Sequence, residues 1–165
     1  MTAKITIERL QPAHVDSAKR LLRTVWHEFF GDEPDSAVRD YFDNPGTLSD
    51  LDDAHRVYFD DGGIFLLVLD EGRVVGTGAV KCLDTETCEL RRMFLLRDYR
   101  GRGLGTQLAG RLLEFARSVG YRRARLATNK KLHASHRLYA RLGFHNIPPY
   151  GDEITELAYY MEKVL

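Results

Sequence analysis

Residues 100–105 read Arg-Gly-Arg-Gly-Leu-Gly and stand between a strand-like segment and a helix-like one. Glycine residues let the backbone come close to a ligand and turn its N–H groups toward it. The helix that begins here adds unpaired amide groups and the positive end of its dipole, while Arg100 and Arg102 add charge. The stretch therefore predicts a pyrophosphate-binding loop. The alternative is a glycine-rich turn that holds no ligand.

Common phosphate-binding motifs do not describe this loop. The Walker A pattern G-x-x-x-x-G-K-[ST] is absent from the sequence. The pattern G-x-G-x-x-G also fails, because Leu108 stands where the third glycine would follow Gly103 and Gly105. An RNA contact of the arginine-glycine type is a further hypothesis, but such segments are usually disordered, whereas this one opens an amphipathic helix.

The segments on both sides of the loop predict a mixed α/β fold. Before the loop, an apolar run and two further strand-like segments predict an antiparallel meander. After it, apolar residues at helical spacing alternate with strand-like segments. The predicted strands are 5–10, 64–69, 74–83, 88–96, 122–127, 144–147 and 157–164. The predicted helices are 12–30, two short ones within 32–61, 104–120 and 134–142. Because strands and helices do not alternate strictly, a Rossmann fold is not expected.

Two sequence blocks resemble one known family. Arg100-x-x-Gly103-x-Gly105 matches the signature R/Q-x-x-G-x-G/A of the GNAT (GCN5-related) N-acetyltransferases, and residues 138–144 match its second block, L-Y-x-x-x-G-F. The resemblance covers residues 74–144, and the element order extends it to the whole chain. It implies one N-acetyltransferase domain over residues 1–165. The implied fold is a mixed, mostly antiparallel sheet flanked by helices and splayed at the strand before the loop.

The family transfers an acetyl group from acetyl-CoA to an amine, so the resemblance implies acetyl-CoA as co-substrate. Amides of the loop would hold the CoA pyrophosphate, and main-chain groups of the preceding strand would pair with the pantetheine arm. In the splayed gap, an amide N–H would polarise the thioester carbonyl. The residues implied to bind the cofactor are Met93, Phe94, Leu95, Arg100, Gly101, Arg102, Gly103, Leu104, Gly105, Thr106, Asn129 and Tyr139.

The resemblance also implies two catalytic residues. Tyr139 lies where the family commonly has a tyrosine that protonates the departing thiolate. The alternative is a core aromatic residue at helical spacing. Glu89 lies 11 residues before Arg100, the separation at which the histone-acetylating branch has its glutamate base. A base is needed because an amine is mostly protonated at neutral pH. The alternative for Glu89 is a strand glutamate paired with Arg91 or Arg92.

Three positions depart from the family's patterns or leave a role open. Leu132 stands where many members have an asparagine that contacts CoA. Ala127 occupies the place of the glutamate base used by members that acetylate ribosomal-protein N-termini, which counts against that mechanism. Asn129 either bonds to cofactor or acceptor amides or shapes the turn that follows the strand.

Charge is unevenly distributed along a chain whose net charge is zero. Residues 91–141 carry 14 basic residues and only two acids, which predicts an anionic partner. Nucleic acid is one hypothesis, but we do not expect it as a partner, since CoA itself is a polyanion that accounts for a few of these arginines. Residues 32–61 carry ten acids and two arginines. If they form one wall of the acceptor cleft they would favour a cationic amine. The alternative is that they are solvated.

Composition narrows the remaining classes. No apolar run approaches the roughly 18 residues of a membrane helix, and the N-terminus has no apolar signal region, so we expect no membrane partner and a cytoplasmic protein. Two cysteines are too few for a zinc site, and His133 and His136 lack further ligands, so no metal is expected.

Three points about activity stay open. The acyl donor could be another acyl-CoA, and a non-catalytic acyl-CoA-binding module is the alternative function. The acceptor is expected to be a small-molecule or peptide amine. Members of the family often dimerise through their C-terminal strands, and residues 157–164 are apolar enough to permit a homodimer.

Overall fold

The computed structural model describes residues 4–165. Within them, helices and strands follow one another in nearly the predicted order. The strands are β1 (Ile5–Arg9), β2 (Ile64–Asp70), β3 (Arg73–Cys82), β4 (Thr87–Leu95), β5 (Arg123–Asn129), β6 (His145–Asn146) and β7 (Ala158–Val164). The α-helices are α1 (Val15–Phe30), α2 (Ser36–Arg39), α3 (Ser49–Asp52), α4 (Ala54–Val57), α5 (Leu104–Ser118) and α6 (His133–Arg141). Residues 32–61 thus form three short helices joined by turns, where two were predicted.

These strands form one mixed sheet with the order β1-β2-β3-β4-β5-β7-β6. Every neighbouring pair is antiparallel except β4 and β5, which run parallel because α5 crosses from one to the other. The predicted fold class, a mostly antiparallel sheet flanked by helices, is confirmed. Across residues 4–165, none of the helices combines the length and the apolar character needed to cross a membrane.

Each face of the sheet carries its own apolar core. Helix α5 packs on one face through side chains at helical spacing such as Leu108, Leu112 and Ala116, all fully buried. Helix α1 packs on the other face through Leu22 and Val25, together with aromatic residues of the segment that follows it. The sheet is therefore the middle layer, and a gap in it connects both sides.

Such a gap opens between β4 and β5. Their pairing is limited to Thr87–Glu89 with Arg123–Arg125, although both strands continue beyond it. Past this point β5 is paired with β7 alone, through to Asn129. The part of β4 after Glu89 consequently presents an unpaired edge toward β5, as the splayed sheet in the prediction requires.

A β-bulge shapes β4 where the gap opens. Register places Ala79 opposite Arg91 and Thr77 opposite Phe94, so β4 has one residue more than β3 in this interval. Arg92 takes a left-handed conformation, with φ of 57°. Its carbonyl accepts a hydrogen bond of 2.6 Å from the Thr77 hydroxyl. Because of the bulge, consecutive side chains of β4 near Arg92 do not alternate between the two faces of the sheet as they would in a regular strand.

Candidate active site

The loop between β4 and α5 lines a first cavity of about 450 Å³. Gly101 and Gly103 have φ of 74° and 78°, a region that favours glycine, and a Cβ built on either would meet only open space. Within residues 4–165, the six consecutive amides of 101–106 have no protein acceptor. Unpaired amides at a helix N-terminus bind anions, so this loop fits the pyrophosphate of CoA.

Arginines of the loop have different surroundings. Arg100 lies along the first cavity, yet its Nε donates to the Leu95 carbonyl at 3.0 Å and its Nη2 to Glu28 at 2.8 Å. Its side chain therefore ties β4 to α1. Arg102 stacks over the Tyr99 ring at 5.0 Å. Arg137 and Arg141 of α6, which the sequence analysis did not single out, face the first cavity instead.

Main-chain groups of β4 offer an edge to a ligand. Leu96 donates to the Val75 carbonyl at 2.9 Å, and strand alternation then turns the main-chain groups of Phe94 toward β3. Those of Met93 and Leu95 point into the gap. Arg100 occupies the Leu95 carbonyl, so the groups left for the pantetheine arm are those of Met93 and the Leu95 amide. Phe94 lines the cavities with its side chain.

Tyr139 lies where the first cavity meets a second one. It lines both, as do Met93, Phe94, Leu132 and Ser135. Its ring packs against Phe144 at 5.8 Å, which fixes the ring but leaves the hydroxyl without a hydrogen-bond partner in residues 4–165. Burial raises the pKa of the Tyr139 hydroxyl above its usual value, so the group is protonated and able to donate. The structure places it between the two cavities, although it is also part of the core.

The second cavity, of about 490 Å³, lies on the α1 side of the gap. Its walls are largely apolar and come from α1, the segment after it, β4, β5, α6 with the residue before it, and the loop before β7. They include Trp26, Val38, Tyr41, Phe42, Phe94, Ile154 and Leu157. Its charged residues are Glu89, Arg91, Arg92 and Glu153. An apolar cavity with a few charged groups beside a cofactor groove is suited to an acceptor molecule.

Glu89 lies where β4 and β5 part. It forms the last pair of the parallel ladder, opposite Arg125, and its side chain lines the second cavity. The Tyr150 hydroxyl donates to Glu89 Oε2 at 2.8 Å. Burial, and then the charge of Glu89, raise the pKa of the Tyr150 hydroxyl, which keeps it a donor. Tyr150, rather than Arg91 or Arg92, is thus the partner of Glu89, and one carboxylate oxygen is left for an acceptor. The sequence analysis did not single out Tyr150.

Arg92 is held by a buried ion pair. Its guanidinium donates to both oxygens of Asp50, at 3.0 and 3.1 Å, and to the Thr47 carbonyl at 2.9 Å. Tyr58 donates to the same carboxylate at 2.5 Å. Desolvation opposes ionisation of Asp50, but the hydrogen bonds and charge of Arg92 outweigh it and lower the pKa of Asp50. Arg92 is therefore a structural cation, with its charge neutralised.

The pairing of Asp50 with Arg92 is one example of where the acids of residues 32–61 lie. No acid of residues 32–61 lines the second cavity in the described part of the chain. Several instead pair with nearby basic side chains: Asp40 with Arg39, Asp43 with His27, Asp50 with Arg92, Asp52 with Lys19 and Asp53 with Arg56. The expected acidic wall of the acceptor cleft is not formed. Aromatic and small residues of the segment face the cavity because the chain folds them against α1.

Three further positions named in the sequence analysis, Ala127, Asn129 and Leu132, lie at the second cavity. Asn129 accepts a hydrogen bond from the Lys131 amide at 2.9 Å, which shapes the turn after β5, and it lines the second cavity rather than the first. Leu132 and Ala127 line the second cavity as apolar surface. Within residues 4–165, no three His, Cys, Asp or Glu side chains are grouped to hold a metal ion.

Comparisons with known proteins agree with this geometry. The model of the acetyltransferase (GNAT) family matches residues 18–144. The chain is 38% identical to the uncharacterized N-acetyltransferase YjgM of Escherichia coli, over 61% of this chain and 64% of YjgM. It is 35% identical to N-acetylaspartate synthetase of Xenopus tropicalis, over 60% of this chain and 37% of the synthetase. The chain thus spans less than two thirds of the length of these relatives.

Solved structures share the fold over almost the whole chain. An acetyltransferase from Streptococcus agalactiae is 25% identical and superposes with a TM-score of 0.80, covering 98% of both chains. The PaiA N-acetyltransferase of Thermoplasma acidophilum, solved in complex with coenzyme A, superposes with a TM-score of 0.78 at 17% identity and covers 98% of this chain and 99% of its own. The chain belongs to the acetyltransferase (GNAT) family.

Proposed function

We propose that the chain is an acetyl-CoA-dependent N-acetyltransferase that acetylates a primary amine of a small molecule or peptide by direct transfer in a ternary complex. The observation that carries this proposal is that two cavities meet at Tyr139 across the gap between β4 and β5. One has a loop of unpaired amides suited to CoA, and the other has a carboxylate suited to an amine. We also propose that residues 1–165 act as one domain, since β1 to β7 share one sheet.

Each cavity residue has a defined task in this reaction. Acetyl-CoA supplies an acetyl group activated as a thioester. Glu89 takes a proton from the ammonium of the acceptor, directly or through water, so that the nitrogen lone pair can form the new C–N bond. Tyr139 donates its hydroxyl proton to the sulfur as the C–S bond breaks, and the nitrogen then releases its second proton, which restores the Tyr139 hydroxyl by way of solvent. The products are an N-acetyl amide and CoA as the free thiol.

The placement of the cysteines supports direct transfer. Cys82 and Cys88 face each other across β3 and β4 as free thiols, and neither lines a cavity. Burial raises the pKa of the Cys88 thiol to about 12, which makes it a poor nucleophile. No cysteine is therefore in place for an acetyl-cysteine intermediate in the described residues. Intersecting initial-rate lines for acetyl-CoA and amine are expected; parallel lines would contradict direct transfer.

One set of measurements tests two alternatives, namely a non-catalytic acyl-CoA-binding module and an enzyme that uses another acyl donor. Acetyl-CoA and CoA are expected to raise the melting temperature, and acetyl-CoA with an accepted amine is expected to release free thiol. Stabilisation by CoA without thiol release for any amine would favour a non-catalytic acyl-CoA-binding module. Comparing acetyl-, propionyl- and succinyl-CoA in the same assay tests the acyl donor.

Salt-dependent stabilisation by DNA would favour nucleic-acid binding instead. Ion pairs within the molecule count against it, because basic residues of 91–141 bind acids from elsewhere in the chain. Such pairs are Arg92 with Asp50, Arg100 with Glu28, Arg123 with Glu86, Arg125 with Glu162 and Lys131 with Glu33. These five are among the 14 basic residues that suggested an anionic partner, and they are paired with acids in the fold.

A further inference from the structure

We infer that the acceptor carries a carboxylate next to its primary amine, as a free amino acid does, and that Arg91 binds this carboxylate. The inference rests on the proposed function and adds the substrate class and a residue that determines it. It starts from a contrast within the second cavity, which has two neighbouring arginines on β4. One guanidinium is held in an ion pair and the other is not.

The paired one is Arg92, whose donors go to Asp50 and to the Thr47 carbonyl. Arg91 has no ion-pair or hydrogen-bond partner within residues 4–165. It is half-buried and lines the cavity. A partly buried guanidinium without a partner is costly, and its planar donors match a carboxylate with two parallel hydrogen bonds.

Arg91 and the proposed base, Glu89, lie two residues apart on β4. Side chains two residues apart on a strand point to the same face, so Arg91 and Glu89 stand side by side, roughly 6.6 Å apart along the strand. Glu89 is the group proposed to take the amine proton. A ligand that places its ammonium at Glu89 and its carboxylate at Arg91 would satisfy both charges, and an amino acid carries these two groups on one carbon.

The rest of the cavity limits the size and the charge of the acceptor. Its walls are mostly apolar, and Glu153, the remaining charged residue, is exposed at the rim. One free guanidinium balances a single carboxylate better than a doubly charged phosphate. The earlier expectation of a cationic acceptor depended on an acidic wall that the fold does not form.

The test compares three amines that differ only in the group beside the nitrogen: leucine, leucinamide and isopentylamine. Leucine is expected to have kcat/KM about 10- to 100-fold above the other two, the effect of a charge-assisted pair of hydrogen bonds. Arg91→Gln is expected to raise KM for leucine by this factor and change kcat little. It should change kcat/KM for leucinamide and isopentylamine several-fold less than kcat/KM for leucine. Arg91→Lys should recover part of the loss.

Arg117→Gln serves as the matched control, since Arg117 is exposed on α5 and lines neither cavity. Calorimetric titration of leucine in the presence of CoA measures the carboxylate contact without turnover and should lose its signal in Arg91→Gln. Equal kcat/KM for the three amines, equal losses for all of them in Arg91→Gln, or no leucine binding to the parent protein would overturn the inference. The proposed function would stand wherever thiol release persists. If the proposed function itself were wrong, no amine would give thiol release.

Discussion

The first cavity takes most of its ligand-facing main-chain groups from one continuous stretch, the end of β4 and the loop and first turn of α5. The second cavity is assembled from six separate segments of the chain. One is therefore built by local backbone geometry, and the other by packing between distant parts of the chain. The groups proposed to hold CoA therefore depend on one short stretch of backbone, whereas the proposed acceptor site depends on how distant segments pack together.

The largest expected effect comes from breaking the backbone geometry of the first cavity. Gly103→Val should weaken acetyl-CoA binding about 1,000-fold, because a branched side chain strains the left-handed conformation and occupies the open space before the amides. Gly110→Val is the matched control: Gly110 lies on α5 outside both cofactor and acceptor cavities, and a Cβ there also meets open space. Titration calorimetry with acetyl-CoA checks both. Equal affinity for the two variants would contradict the loop assignment.

The next effect concerns the point where the cavities meet. Tyr139→Phe should lower kcat about 100- to 1,000-fold and leave the dissociation constant of acetyl-CoA within about threefold, because the hydroxyl acts in the transition state. Since burial raises the pKa of Tyr139, the parent enzyme should show no loss of activity from its ionisation below about pH 10. Tyr121→Phe is the control, as its hydroxyl bonds to the Gly62 carbonyl away from the cavities. A variant of Tyr139 with normal kcat would assign the proton donor elsewhere.

A somewhat smaller effect is expected in the second cavity. Glu89→Gln should lower kcat/KM about 100-fold at neutral pH and remove or shift the acidic limb of the pH–rate profile. Tyr150→Phe removes only the hydrogen bond to Glu89 Oε2, so its loss should be several-fold. The pH–rate profiles of both variants, measured with the same amine, test whether Glu89 is the base. If the acidic limb is unchanged in Glu89→Gln, an ordered water is the base.

The smallest expected effect is a difference in unfolding free energy between variants of the two arginines of β4, Arg91 and Arg92. Arg92→Gln leaves Asp50 buried without its cation and should cost about 2 kcal/mol of unfolding free energy at pH 7, whereas Arg91→Gln should cost under about 0.5 kcal/mol. Because the pKa of Asp50 is lowered in the folded protein, the pair stabilises above its ordinary value of 3.8 and the benefit is lost as pH falls through the folded pKa. Urea unfolding of both variants at pH 7 and pH 3 checks this. Equal costs for the two would remove the distinction between them.

Particular residues show how far the sequence could be interpreted. Glycines of the loop, the periodicity of α5 and the block containing Tyr139 each follow rules that act within a few residues, and the structure places them around the first cavity. Strand β5 extends two residues past its predicted end, since pairing with β7 carries it to Asn129. Pairing between distant segments has no local signature, and for that reason the hydrogen bond from Tyr150 to Glu89 and the pairing of Asp50 with Arg92 were not predicted.

The sequence by itself indicated the family through its two motif blocks, and it predicted the mixed sheet and the glycine-rich turn before α5, because glycine conformations and hydrophobic periodicity are local properties of the chain. Only the tertiary structure decided the character of the acceptor cavity. The β-bulge at Arg92 is set by register against β3, and Asp50 reaches Arg92 across 42 residues of sequence. Asp50 pairs with Arg92 and not with Arg91, so Arg91 is left without an ion-pair partner among residues 4–165.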